Sequence, residues 1–530
     1  MKKGNEFLIY GYHNPGLGKY THNVIGEERY LKNKEFFDSK YSVEKSEKSG
    51  YVILSDIVYD CDKKIKDFRT KKYFSYSKKC GMNILFLQKN TVIYNGEEFD
   101  KSELKKILDI AYSSGNKKII IYDERLYSLS SQKESLVGQG KTFENQEELE
   151  RYCSECVKPY KNHKGFYGIY LLDEPNWKTL PQVCTVQKAL QKVCPDIFIQ
   201  ENLLPLAGDA AAITGQGKTT SSLFVDTSVE ENKGITLADA YRKYIETYVS
   251  LSDSDILTMD SYPIRAEGPY EDAGHYDDPD YYLSGNVPKI ATSYYVLNSH
   301  FRCLQLMGET GKKFNVRTGG VSNSCGMAKV RDDGDNVLVW CHKPPDIYDM
   351  TWQINAYLCF GFSVFSYYVY WAKRDNGPSC YHMEGTTFID QKGEKTPLYF
   401  EMKELHKKMQ KIAPIMLKYK YEKMSWLGDE NLPYLKNCPK DDLDLIKVSL
   451  NKGESAVITQ LSGEEGKLYC VMNSCAPSAS GSDVGASVNI TLDSWYKDIQ
   501  WFDLDNKPKK IKNDITFTLN YGQAVFIIAK

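Results

Sequence analysis

Gly168-Ile169-Tyr170-Leu171-Leu172-Asp173-Glu174-Pro175-Asn176-Trp177 decides how this chain folds. Ile169 to Leu172 is a short apolar run, the pattern of a strand buried on both faces. Two carboxylates and a proline end it abruptly. Pro175 has no N–H to give a sheet ladder, so the strand stops at or before it. Asp173 and Glu174 are thereby expected at the carboxyl end of a core strand, where α/β folds place their chemistry. Successive strand residues point to opposite sides, so only one of the two is expected to face a given pocket. Taken alone, Asp-Glu-Pro also suits an acidic turn that merely closes a strand. The neighbouring segments shift the balance.

Working outward, apolar runs alternate with helical stretches on both sides. Upstream lie Phe7–Tyr10, closed by the Gly11-Tyr12-His13-Asn14-Pro15 turn, then Asn83–Leu87 and Lys118–Tyr122. Between the first two, residues 16–48 read as an elaborated first loop, and Tyr51–Leu54 stays unassigned. Downstream come Phe198–Asn202, Ile256–Met259, Lys313–Arg317 and Ser363–Tyr367, the last reaching Tyr370-Trp371. Helices are expected over 67–79, 102–115, 147–156, 239–250 and 352–360. Parallel neighbours need a crossover and a closed ring leaves no edge, so the pattern predicts an α/β fold, a (β/α)₈ TIM barrel over 1–413. A doubly wound open sheet is the alternative, and no glycine-rich dinucleotide fingerprint supports it. Near Pro414 the rhythm changes to short strand-like runs, such as Leu468–Met472 and Ala524–Ile528, between turn-rich segments. This predicts a small antiparallel β-sandwich over 414–530.

With 530 residues and 42% hydrophobic composition, the chain is long enough for two cores. A formal net charge of −2 gives no electrostatic case for nucleic acid or an anionic membrane. The 14 cysteines follow no framework, and Cys153-Ser154-Glu155-Cys156 has no second pair to complete a zinc site. Neither a leader-like apolar core nor a run of membrane-spanning length is present, so a cytoplasmic protein with reduced thiols is expected. The 40 tyrosines suit flat apolar faces beside hydroxyls, as sugar clefts present, although half-buried packing accounts for most of them.

Leu172-Asp173-Glu174-Pro175 on strand four, Asp260-Ser261-Tyr262-Pro263 on strand six and Tyr370-Trp371 on strand eight resemble a clan A type glycoside hydrolase: a TIM barrel followed by a β-sandwich. The segment from Ile389-Asp390-Gln391 to Thr396-Pro397-Leu398-Tyr399 also resembles that family's exit from strand eight. The resemblance implies cleavage of an O-glycosidic bond in an oligosaccharide, with Glu174 as general acid/base, Trp371 under the sugar ring, and retention of configuration. Two departures stand out. Asp173 occupies the position where the family usually has Asn, and the strand-seven segment runs into Thr318-Gly319-Gly320 where the family has its nucleophilic Glu. A carbohydrate-binding barrel that has lost hydrolysis is therefore the competing expectation.

Glycosidic cleavage needs one carboxylic acid and a second carboxylate. Glu174 is the first candidate and Asp260 the second, although Asp260 also suits a structural turn. Asp173, Glu201 and Glu124 end core strands as well. Asp123 and Glu124 flank Arg125, which points to a local ion pair for one of them. Trp371, Trp177 and Tyr262 offer aromatic faces to a sugar; His13 and Asn14 offer hydrogen bonds. No metal-ligand spacing, nucleophile elbow or cofactor motif is present.

Overall fold

A computed structural model describes the chain except residues 1–5, 13, 16–22, 33, 36–37, 39–40, 46–50, 57–66, 89–100, 132–142, 207–220, 265–299, 331–337, 343, 373–386, 391, 429–440, 444–445, 451–454, 475–485, 493–495, 497 and 513. Eight parallel strands form the barrel: β1 (Leu8–Gly11), β2 (Leu85–Leu87), β3 (Ile119–Tyr122), β4 (Phe166–Asp173), β5 (Phe198–Asn202), β6 (Ile256–Asp260), β7 (Arg317–Asn323) and β8 (Val364–Tyr368). β2 to β5 pair in sequence order, and β1, β8, β7 and β6 pair in that order. Two joints close the ring. At one, the Asn83 and Ile84 amides donate to the Ile9 carbonyl, and the Asn83 side chain reaches the Ile9 amide and the Phe7 carbonyl. At the other, Leu203, just past β5, bridges to Met259 in β6, its amide donating to the Thr258 carbonyl at 2.9 Å.

Each strand is followed by at least one helix, as parallel pairing requires. Caps define several of them: Asn145 accepts from the Glu148 amide, Thr236 from Asp239, and Asp346 and Asp349 form a reciprocal capping box. The long first connection contains an antiparallel sheet of Asn23–Gly26, Tyr51–Asp56 and Tyr41–Lys45, with the unassigned Tyr51–Leu54 run in its central strand.

The seventh strand lies later than expected. Lys313 and Phe314 end the helix Phe301–Phe314, Asn315 closes it in the left-handed conformation, and β7 runs through Thr318-Gly319-Gly320. Those glycines follow the expected strand, yet they sit inside the observed one because its neighbours crowd it. A Cβ on Gly319 would meet the Val364 side chain at 2.5 Å, and one on Gly320 the Tyr357 ring at 2.5 Å.

The last barrel helix, Pro397–Met416, continues through Pro414, and antiparallel strands begin at Lys420. They form a six-stranded sheet facing a three-stranded one, with Ile458, Tyr469, Val471, Ile490 and Ile527 in the core between them. The larger sheet packs on the barrel helices Phe301–Phe314 and Ile347–Cys359. Asn355 donates to the Gly522 carbonyl at 2.7 Å, Tyr521 Oη to Asp349 at 3.1 Å, and the Phe360 and Tyr421 rings stack. Among the described residues no helix is long and apolar enough to cross a membrane.

Close approach also governs β4. A Cβ on Gly168 would lie 2.1 Å from the Phe198 carbonyl oxygen of β5. Gly168→Ala is expected to destabilise the protein by roughly 3 kcal/mol, read as a lower denaturant midpoint; an unchanged midpoint would show that the β4–β5 pair adjusts freely there.

Candidate active site

The two acidic strand ends meet at the carboxyl-terminal mouth of the barrel. β4 ends at Asp173, and Glu174 follows with φ of +46°, a left-handed backbone uncommon for a residue with a side chain. Its amide donates to the Asn202 carbonyl of β5 at 2.7 Å. This turn breaks the strand alternation. Asp173 and Glu174 therefore both act on Asp260, against the expectation that only one would face the pocket. Asp173 accepts from the Asn202 side chain at 3.2 Å.

Asp260, the last residue of β6, is 5% exposed, and its Oδ1 has no hydrogen-bond partner. Its carboxyl lies close enough to Glu174, Asp173 and Tyr262 for each to act on its protonation. Burial, then the charge of Glu174, pushes it well above the usual carboxylate range. Glu174 keeps solvent access, yet the surrounding protein desolvates it and raises its carboxyl, while Asp260 pulls it back down. Two carboxyls this close cannot both ionise freely.

Aromatic rings surround the pair. Tyr122 meets Tyr127, Tyr127 stacks on Tyr170, Tyr170 meets Tyr12, Tyr12 meets Tyr368, and Tyr368 meets Tyr262, each with centroids 5.0–6.4 Å apart. Of this belt, Tyr262 alone stands out as a site candidate in the sequence. The others were hidden by the number of tyrosines, although Tyr12, Tyr122 and Tyr368 all stand at or just past strand ends.

The remaining candidates divide. Glu124 accepts from Tyr122 Oη, so it belongs to the belt, while its neighbour Asp123 forms the buried ion pair with Arg125. Trp177 lies half-buried on the loop after β4, its amide donating to the Leu223 carbonyl at 3.1 Å. Asn14 is 2% exposed and donates to the Gly11 and Phe86 carbonyls, both at 2.7 Å; it pins β1 to β2. His13 lies outside the described residues. Trp371 is 6% exposed and packs between Phe68 and Tyr73, beyond the end of β8. Tyr368, at the strand end proper, stands in the belt where the sequence placed Trp371.

Glu201 points away from the mouth. Irregular β4–β5 pairing around Leu171 sets Leu172 against Glu201 and Asp173 against Asn202, so Asn202 takes the mouth-facing position. Glu201 instead lies against Cys184 and Tyr248 of the helices Leu180–Val193 and Leu237–Ser252. It is 3% exposed, its geometry shows no hydrogen-bond partner for either oxygen, and burial pushes the carboxyl up to about 8. β7 ends in Ser322-Asn323-Ser324, with no carboxylate; the Asn323 backbone is held by the Gln353 side chain, at 2.8 and 2.9 Å. Among the described residues no group of three or more His, Cys, Asp or Glu is arranged to hold a metal ion.

Fold and site together define a (β/α)₈ barrel with an acidic, tyrosine-ringed mouth and a β-sandwich on its helical flank. No protein-family model and no curated protein matches the chain. Among the solved structures that it resembles are glycoside hydrolases. They include a catalytic mutant of Gan42B, a GH42 β-galactosidase from G. stearothermophilus (8% identity, 100% of this chain and 99% of that one, TM-score 0.47). A GH27 β-L-arabinopyranosidase from Geobacillus stearothermophilus matches at 8% identity over 99% and 96% of the two chains, with TM-score 0.40. A β-galactosidase from the psychrophilic Marinomonas ef1 matches at 11% identity over 66% of this chain, with TM-score 0.40; the match spans 60% of that enzyme's length.

Two outcomes follow from the buried carboxyls. Glu201 binds a proton in the folded state well above its ordinary value of 4.5, so its contribution favours folding most at acid pH and is lost progressively as pH rises from 4.5 to about 8. Glu201→Gln is expected to gain stability relative to wild type as pH is raised from about 5 to about 9, measured by denaturant unfolding; a difference independent of pH would overturn this. At Glu174, glycine accepts the left-handed backbone freely, so Glu174→Gly is expected to stabilise the fold by about 1 kcal/mol. A lower melting temperature would show that the residue is unstrained there.

Proposed function

We propose that this protein hydrolyses an O-glycosidic bond in an oligosaccharide or glycoside by carboxyl chemistry centred on Glu174, with Asp260 as its partner. The observation that carries this reading is the close approach of the Glu174 and Asp260 carboxyls, with Glu174 held in a left-handed backbone at the barrel mouth. Strained backbone and displaced carboxyl protonation coincide at functional sites. The tyrosine belt supplies apolar faces and hydroxyls suited to sugar rings. No cofactor enters this chemistry.

A second reading, a carbohydrate-binding barrel without hydrolysis, is favoured by one observation: β7 ends in Asn323 with no carboxylate to serve as nucleophile. Aryl glycosides spanning common hexoses and pentoses separate the two. Wild type is expected to release aglycone from at least one, and Glu174→Gln to lose about 10³-fold in kcat/KM. Undiminished turnover by the variant would remove Glu174 from the mechanism. Sugar binding by calorimetry without turnover of any glycoside would establish the second reading.

A further inference from the structure

Between the ends of β3 and β4, three rings of the belt build a platform. Tyr122, the last residue of β3, lies across from Tyr170 of β4 in register, and both side chains are buried, 6% and 4% exposed. Tyr127 leans on both. Its ring stacks on Tyr170 at 26° with centroids 6.3 Å apart, and meets Tyr122 at 5.0 Å. Unlike them it is only half-buried. An apolar plane left half open at the mouth and propped by two buried rings suits the C–H face of a sugar ring.

The helix Glu124–Ser131 carries that ring, and its start is locked in place. Asp123, 0% exposed, accepts from the Arg125 amide and Nε, both at 3.0 Å, and from Tyr160 Oη at 2.8 Å. Arg125 also donates to the Cys156 carbonyl at 2.6 Å. Leu126 and Leu129 are buried, and Gln182 of the helix after β4 donates to the Leu129 carbonyl at 3.3 Å. Residues three apart share a helix face, so Glu124 and Tyr127, both half-buried, are presented together. Tyr122 Oη donates to the Glu124 carboxylate and holds it beside the rings.

We propose that Tyr127 and Glu124 form a second sugar subsite beside the cleavage pair, so that the substrate is an oligosaccharide whose neighbouring unit stacks on Tyr127 and donates hydroxyl hydrogen bonds to Glu124. The inference rests on the glycosidase reading above and names what the cleft takes beyond the sugar being cut. A carboxylate accepts about four hydrogen bonds, so Glu124 can serve Tyr122 and sugar hydroxyls together. The subsite lies on the Glu174 side of the mouth, because Tyr122 and Tyr170 pair across β3 and β4 and Asp173 ends β4. Burial, then the charges of Asp173, Glu124 and Glu174, push the Tyr127 hydroxyl up, in keeping with that place. Such a subsite adds binding energy only when its own sugar is present.

Two kinds of probe separate this subsite from the cleavage site. Glycosyl fluorides carry one sugar and a leaving group without a ring, whereas trisaccharides of gluco, galacto, xylo and arabino configuration reach past it. Tyr127→Ala is expected to lose about 10–100-fold in kcat/KM on the trisaccharide that wild type cleaves best, and to keep the matching fluoride within about 2-fold. Tyr127→Phe retains the ring and is expected to stay within about 3-fold on both. Equal losses on the two probes would show that Tyr127 serves the fold or the cleavage site and overturn the proposal. An undiminished trisaccharide rate, or turnover of fluorides alone, would overturn it as well. If neither probe is turned over, the glycosidase reading fails and calorimetry with the trisaccharides decides the subsite by itself. Binding to wild type that weakens about 10-fold in Tyr127→Ala upholds it; binding that is absent or unchanged overturns it.

Discussion

Everything at the barrel mouth depends on one backbone hydrogen bond, from the Glu174 amide to the Asn202 carbonyl at 2.7 Å. It holds Glu174 in the left-handed region immediately after β4 ends, at a conformational cost of about 1–3 kcal/mol that the rest of the fold must offset. Without that turn, strand alternation would send Asp173 and Glu174 to opposite sides. With it, Asp173, Glu174 and Asp260 share one side of one cleft. The offset comes from packing on both flanks: Tyr244 Oη donates to the Pro175 carbonyl, and Asn176 caps the following turn through the Lys178 and Thr179 amides.

The barrel beneath the cleft is more polar than its apolar strands suggest. Gln200 donates to Thr258 Oγ1 at 2.9 Å, and Ser366 lies opposite Tyr10 on β1. This polarity is met in part: Ser366 donates to the Gly320 carbonyl, while Tyr10 Oη and Gln200 Oε1 are buried without a hydrogen-bond partner. Asp260 and Glu201 are the sharper cases, each with a buried carboxylate oxygen lacking a geometric partner. Asp260 lies at the mouth beside another carboxyl and two tyrosines. Glu201 is sealed between strand and helices, where the same physics yields a pH-dependent liability and no contact with the cleft.

The sandwich reinforces the flank of the barrel formed by the helices after β6 and β7. Gly522 lies where a Cβ would meet the Trp352 backbone at 2.9 Å, so the joint is tight. The core is continuous across it, running from Phe301 and Trp352 to Trp426 and Phe526. The helix after β7 thus holds Asn323 through Gln353 on one side and carries the sandwich on the other.

Periodicity in the sequence determined the fold class, because parallel pairing forces strand–helix alternation and a closed ring needs no edge. It located the acidic ends of β4 and β6, because Pro175 and Pro263 limit where those strands can run. It set β7 too early, ending it at Arg317 where the strand begins, since glycines that serve close packing carry no apolar strand signal. The direction of each side chain was decided only by the tertiary structure. Strands buried on both faces carry no polar–apolar alternation, so nothing in the Phe198–Asn202 run marks Asn202 as facing the mouth and Glu201 as facing the helices. Irregular pairing around Leu171 and a left-handed residue at 174 set that phase, and both arise from contacts between strands distant in sequence.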